Sequence, residues 1–279
     1  MSQLRNQMIR DMQLRKFAPG TQKIYLNAVK GLANYHHCSP DILSSGQIED
    51  YILYLFNERK MATGSCYAVF SGLRFFYGVT LGRDSSTIPI PPTKKLAMLP
   101  EILSIEQVEK LFSVTHNPKH RVMLMTAYGG GLRVSELVKL KVTDIHSDRM
   151  VIRINQGKGR KDRYTLLPKR LLEELRSYWS IKKPKVWLFP GQPKDRPLSS
   201  RMAQKTYHIA IKKAGIKRKG GIHTLRHCFA THLLETGENI RTIQLLMGHR
   251  SILTTMRYLQ ITSKSLKGTQ SPLDLMSSQ

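Results

Sequence analysis

Between Gly82 and Thr93 the sequence reads Gly-Arg-Asp-Ser-Ser-Thr-Ile-Pro-Ile-Pro-Pro-Thr, and this stretch limits the possible folds more than any other. Three of the thirteen prolines stand here, at 89, 91 and 92. Each lacks an amide donor and pushes the residue before it toward extended geometry, so neither a helix nor a central strand can run through the segment. A chain of 279 residues is long enough to bury two cores. The break predicts a first domain over 1–83, a linker over 84–98 and a second domain over 99–279. Charge is divided unevenly across it. Residues 1–95 carry 12 basic and 6 acidic side chains, net +6, whereas residues 96–279 carry 33 and 13, net +20.

The total of 45 Lys and Arg against 19 Asp and Glu gives a net charge of +26. A hydrophobic share of 41% with 23% charged residues is ordinary for a globular protein and argues against wholesale disorder. The positive excess points to a polyanionic partner, with nucleic acid favoured. An anionic membrane is the competitor, but the basic residues are spread along the chain rather than gathered on one amphipathic stretch. The longest uncharged apolar run, Val122 to Leu132, holds three glycines and is too short to cross a bilayer. Residues 1–10 have no apolar core of signal-peptide length, and Cys38, Cys66 and Cys228 form neither a disulfide framework nor a CxxC site. These features predict a soluble protein of the reduced cytoplasm, located with the nucleoid when bound to DNA.

The first domain reads as all-helical. Leu4, Met8 and Met12 begin one amphipathic segment, and Pro19-Gly20-Thr21 opens a second through Ile24, Ala28 and Leu32. A third spans Ile48 to Phe56 and a fourth Tyr67 to Tyr77, whose Val69, Phe70, Leu73, Phe76 and Tyr77 read as core rather than as a platform for bases. The second domain mixes helices with strands. Ser104-Ile-Glu-Gln107 fits a capping box, Met150 to Ile154 a strand, Gly157 to Asp162 a turn and Arg163 to Leu167 the returning strand. Helices follow near 169–180, 199–214, 224–235, 240–247 and 252–259, with Gly215, Gly237 and Gly248 as left-handed caps. The fold class expected is mainly α with a small antiparallel sheet.

No HExxH, EF-hand loop or GxxxxGK[ST] occurs, and 19 scattered acids poorly support a two-metal nuclease. His223, His227 and His232 share one helical stretch at poor metal-ligand spacing, so structural or DNA-facing roles suit them better. The remaining candidates are cationic. Arg133 and Glu136 stand three apart at a helix start, where the acid can orient the guanidinium. Lys158 sits between two glycines at the hairpin tip, and His223 precedes Arg226 by one helical turn. Gly248-His249 follows a helix end, with Tyr258 nine residues beyond the histidine. Singly, each also fits a surface ion pair, a solvated lysine, a buried hydrogen-bonded histidine or a core tyrosine.

Taken in order, these residues resemble the tyrosine recombinases, the phage integrase family, of the small Xer-like kind. The strongest stretch is His223-Thr-Leu-Arg-His-Cys-Phe-Ala-Thr-His-Leu-Leu-Glu-Thr-Gly, followed by Ile243-Gln-Leu-Leu-Met-Gly-His249 and Thr254-Thr-Met-Arg-Tyr258. The first half resembles the family's helical, SAM-like core-binding domain, and the second its α+β catalytic domain. The resemblance implies that Arg133 and Arg226 are the two catalytic arginines, Lys158 the hairpin lysine, His223 and His249 the two histidines, and Tyr258 the nucleophile. It also implies strand exchange through a Holliday junction, with no metal, ATP or other cofactor. Expected partners are duplex DNA carrying recombination sites and a synaptic homotetramer, with a second recombinase or a DNA-bending protein left open; no membrane partner is expected.

The chemistry fits that assignment. A phenol with pKa ~10 is protonated at neutral pH, so Tyr258 needs a base or a strongly positive site. The arginines offer permanently charged planar forks to two phosphate oxygens. On this reading His223 accepts the tyrosyl proton, His249 donates to the phosphate and Lys158 protonates the leaving 5′ oxygen. The covalent phosphotyrosine conserves the bond energy for rejoining. The dense basic runs 157–163 and 216–220, with Arg160, Lys161, Arg163, Lys217, Arg218 and Lys219, read as phosphate contacts around duplex DNA. Leu266, Leu273, Leu275 and Met276 are candidates for docking the tail on a neighbouring protomer. A type IB topoisomerase and a catalytically silent architectural DNA-binding protein are the competing readings.

Overall fold

A computed structural model describes residues 3–83, 101–155, 162–218 and 220–259. The chain divides into two units, Met1–Ala97 and Met98–Gln279. The expected linker, the hairpin tip with Lys158, Arg160 and Lys161, Lys219 and the tail after Leu259 lie outside the described residues.

The first unit is a cluster of four helices, α1 (Gln3–Leu14), α2 (Pro19–His36), α3 (Ser45–Asn57) and α4 (Thr63–Phe75). Apolar residues four apart put Met8 and Met12, Ala28 and Leu32, and Ile48 and Ile52 on buried faces. Phe70, Leu73, Phe76 and Tyr77 are buried as core residues, and the Tyr77 hydroxyl donates to the Pro40 carbonyl at 2.6 Å; Val69 is only half-buried. α3 starts three residues before Ile48 because Ser44 and Gln47 form a reciprocal cap. After Phe75 the α4 ladder widens into a π-helical turn over Phe76–Thr80, where Leu81 N–H reaches back five residues to the Phe76 carbonyl at 3.0 Å.

The second unit opens with α5 (Ile105–Ser113), begun by the Ser104–Gln107 capping box. It continues with α6 (Pro118–Gly129) and the short α7 (Val134–Leu137). Residues 122–127 of α6 are buried without interruption, so the apolar run noted in the sequence is a helix enclosed on every side. Strands β1 (Ile145–His146), β2 (Val151–Ile154) and β3 (Arg163–Leu166) form an antiparallel sheet in that order, with Ile152 facing Thr165 and Ile154 facing Arg163. Ile152 and Ile154 point into the core, and the Thr165 hydroxyl donates to the Gly130 carbonyl at 2.9 Å. β1 had no signal in the sequence, because two residues are too few to show a period of two. β2 begins at Val151 rather than Met150, whose φ of 52° takes it out of extended geometry.

Five helices complete the unit: α8 (Lys169–Lys182), α9 (Ser200–Lys213), α10 (His223–Glu235), α11 (Ile240–Met247) and α12 (Ile252–Met256). Gly215, Gly237 and Gly248 close the preceding helices with φ of 66°, 89° and 61°. The observed class is mainly helical with one small antiparallel sheet. Among the described residues no helix is long and apolar enough to cross a membrane.

Candidate active site

The site grows from one carboxylate. Arg133 caps α7, with its backbone N–H donating to Glu136 Oε2 at 2.9 Å and its Nη1 to Oε1 at 2.7 Å. This is the three-residue pairing read from the sequence. The same carboxylate also receives Arg163 across both oxygens, Nη1 to Oε1 and Nη2 to Oε2, each at 2.9 Å. Arg226 Nη1 stands 3.8 Å from Oε2. Burial pushes the Glu136 carboxyl up, but the hydrogen bonds and charge of Arg163, then those of Arg133, outweigh it and bring the group down to about 2. Three guanidiniums around one carboxylate leave a local charge of +2, a place suited to an anion.

Arg226 is almost wholly enclosed, at 1% exposure. It donates to the Gly131 carbonyl at 2.6 Å, to the Met247 carbonyl at 2.5 Å and to His249 Nε2 at 3.1 Å. Burial first, then the charge of Arg133, lowers its pKa. Because an arginine only donates, His249 Nε2 accepts, and its Nδ1–H donates to Thr255 Oγ1 at 2.9 Å. His249 is thereby held neutral; burial and then Arg226, Arg133 and Arg163 bring it down to about 3. Arg133 closes the ring by donating Nη2 to the Gly248 carbonyl at 3.2 Å. Gly248 has φ of 61°, and a Cβ there would stand 2.7 Å from Arg163 Cδ, so both backbone and space require glycine.

Tyr258 follows α12 and is 4% exposed, packed with Phe229, Ala230, Ile243 and Met247. Burial raises its pKa, and Arg226, Arg257 and Arg133 draw it back. Its hydroxyl lies 2.9 Å from Nδ1 of His227. His223, one turn earlier on α10, is exposed and meets the His227 ring edge to face, with centroids 4.8 Å apart. Desolvation of its packed ring, then Arg226 and Arg133, lowers the His223 pKa.

Arg133, Arg226 and His249 come from three separate chain segments into one hydrogen-bonded group, and His223 and Tyr258 lie within reach of the charge of Arg226 and Arg133. Two expectations change. Arg163, read as a phosphate contact in a basic run, has both terminal nitrogens on Glu136 and its Nε on the Leu246 carbonyl at 3.0 Å, so it builds the site from behind. The residue touching the Tyr258 hydroxyl is His227, for which the sequence alone suggests a structural or DNA-facing role. Its place one turn beyond His223 was the available signal. His232 has a structural place, with Nε2 at 3.0 Å from the Leu103 carbonyl and Nδ1 at 2.9 Å from the Tyr128 hydroxyl. Lys217 and Arg218 are exposed in the loop before α10. Among the described residues no cluster of three or more His, Cys, Asp or Glu is placed to hold a metal ion.

Comparison with known proteins gives a concordant result. Residues 101–265 match the model of the phage integrase family, and residues 4–87 match the phage integrase N-terminal SAM-like domain. A Sinorhizobium fredii protein carrying an integrase/recombinase name is 44% identical, covering 99% of this chain and 90% of its own length. A tyrosine recombinase of Pseudothermotoga lettingae is 33% identical over 91% of each chain. In fold, the chain resembles the XerH site-specific recombinase in a post-cleavage complex with palindromic difH, with TM-score 0.74, 20% identity and coverage of 91% of this chain and 80% of that one.

Proposed function

The chain belongs to the phage integrase family of tyrosine recombinases, and from that premise we propose that it cuts and rejoins DNA strands at specific sites through a phosphotyrosyl bond on Tyr258. One observation carries the reading: Arg133, Arg226 and His249 form a single hydrogen-bonded group around Gly248 and Met247, and Tyr258 belongs to the same buried apolar cluster as Met247. The two arginines supply the charge that a pentacovalent phosphorus needs on its non-bridging oxygens. Arg226 donates hydrogens to the Gly131 and Met247 carbonyls. A phosphate is the stronger, charge-assisted acceptor and competes for them. His249 donates to the same phosphate once Arg226 releases its Nε2 and that nitrogen takes up a hydrogen, by protonation of the ring or by a change of tautomer. Lys158 protonates the 5′ oxygen that leaves, and that oxygen later attacks the phosphotyrosine to rejoin the strand.

The first unit is the core-binding domain, and with the second it grips duplex DNA, Lys217 and Arg218 among its phosphate contacts. The shared fold of the XerH site-specific recombinase, described as bound to its palindromic difH substrate, is consistent with a nucleic-acid partner. Strand exchange proceeds through a Holliday junction in a synapsed tetramer, with the tail beyond Tyr258 docking between protomers.

The test is a covalent trap in EDTA. Sites enriched from surrounding genomic DNA are nicked to make suicide substrates, and a protein–DNA band is sought after denaturation. Wild type should give the band; Tyr258→Phe should bind duplex equally and give none. Binding on several selected sites with no adduct from wild type would turn the reading toward an architectural protein.

A further inference from the structure

α10 carries a short ladder of rings. His223 meets His227, and His227 meets Tyr258 with centroids 5.7 Å apart, but the hydrogen bond to the phenol oxygen is made by His227 alone among those described. The groups facing His227 are His223 and Arg226 on α10, His249 after α11, and Arg257 with Tyr258 after α12. Burial first, then His223, Arg226 and Arg257, brings the imidazole down to about 4, so it is neutral at physiological pH and has a lone pair to offer. In the tautomer that carries the ring hydrogen on Nε2, Nδ1 accepts the phenol hydrogen, and this is the form a base requires. Tyr258 is enclosed in an apolar cluster, where a phenol keeps its proton until an acceptor takes it.

We propose that His227 is the catalytic base of strand cleavage, taking the Tyr258 proton through Nδ1, and the acid that returns it on rejoining. The proposal rests on Tyr258 as the nucleophile. In cleavage the Tyr258 O–H bond breaks and its proton passes to Nδ1, while the phenol oxygen bonds to phosphorus. The bond from phosphorus to the 5′ oxygen breaks, and that oxygen takes its proton from Lys158. Rejoining reverses each transfer: the 5′ hydroxyl attacks and its proton goes to Lys158, and the departing phenolate recovers the proton held by His227. His223, exposed at the start of α10, is left to the phosphate oxygens.

The test separates base from scaffold. His227→Asn puts an amide near the Nδ1 position, keeping a hydrogen-bond partner for the phenol but removing basicity. Single-turnover cleavage should fall by about 10²–10⁴-fold with duplex binding unchanged. Difluorotyrosine at position 258, an acidified phenol, should restore much of the loss in His227→Asn and none in Lys158→Ala. Lys158→Ala should respond instead to sulfur replacing the 5′ oxygen, which leaves without an acid. In wild type, nitrogen NMR should show His227 neutral in the free protein and doubly protonated in the trapped adduct. The proposal is overturned by a wild-type rate in His227→Asn, by difluorotyrosine rescue of His223→Asn instead, or by a neutral His227 in the adduct. An adduct that persists in Tyr258→Phe removes the nucleophile, and with it this proposal and the parent reading together.

Discussion

Replacing Glu136 by Gln keeps the side chain's size and removes the one negative charge that Arg133, Arg163 and Arg226 share. A buried carboxylate whose pKa falls from 4.5 to about 2, at about 1.4 kcal/mol for each pH unit, is worth about 3 kcal/mol to the fold. Leaving a buried partner unpaired costs about 3–5 kcal/mol by a separate route, and the two figures agree. The side chain is 6% exposed, so solvent screening takes little from either. Both tryptophans, Trp179 and Trp187, lie in the second unit, so their fluorescence in a urea titration reports on the unit that contains the change. Glu136→Gln should lose about 3 kcal/mol at pH 7 with an unchanged urea slope. The folded pKa lies below the unfolded one, so the carboxylate's contribution is complete above about pH 4.5 and is lost as pH falls toward about 2. The gap between the proteins should therefore close in that window. A loss below about 1 kcal/mol, the scale of an exposed ion pair, would refute the shared counter-charge.

Two further outcomes follow from the same geometry. Gly248→Ala combines a left-handed φ with a Cβ 2.7 Å from Arg163 Cδ, whereas Gly237→Ala, at φ 89°, meets nothing within 4 Å. The second should cost about 1–2 kcal/mol of backbone strain in the same titration and the first clearly more, and equal costs would show that Arg163 moves aside freely. His227 and His249 have folded pKa values of about 4 and about 3, below the 6.5 of an unfolded histidine. The unfolded chain binds more protons between these values, so stability is full above about pH 6.5 and falls as pH drops toward about 4. His249→Gln should flatten the slope between pH 6.5 and 4.5, and an unaltered slope would mean that His249 charges freely in the folded protein.

Much of this site was legible in the chain because part of it is local. Arg133 with Glu136 and Ser104 with Gln107 are pairs three residues apart, a spacing that helical geometry turns into contact without help from the rest of the fold, and the same spacing brings His223 under the charge of Arg226. Proline content divided the chain, apolar spacing gave the helices, and the ordered cationic set pointed to phosphate chemistry. Arg163 shows the limit. In sequence it is one more cation in a basic run, and nothing within four residues marks it as the second partner of Glu136.

What the sequence determined by itself is thus the inventory: mainly helical elements, a small sheet, a strongly basic second half, and the residue types for a phosphotyrosyl transfer. Tertiary structure decided the partners. The bonds from Arg226 to Gly131, from Arg133 to Gly248, from Arg163 to Glu136 and from His227 to Tyr258 span 95, 115, 27 and 31 residues. Periodicity fixes contacts within a turn or across a hairpin, but it carries no information about which distant segments meet. That is set by the packing of α11 against both α10 and β3, which accompanies the burial of Arg226 and the seating of Tyr258 on His227 rather than on His223.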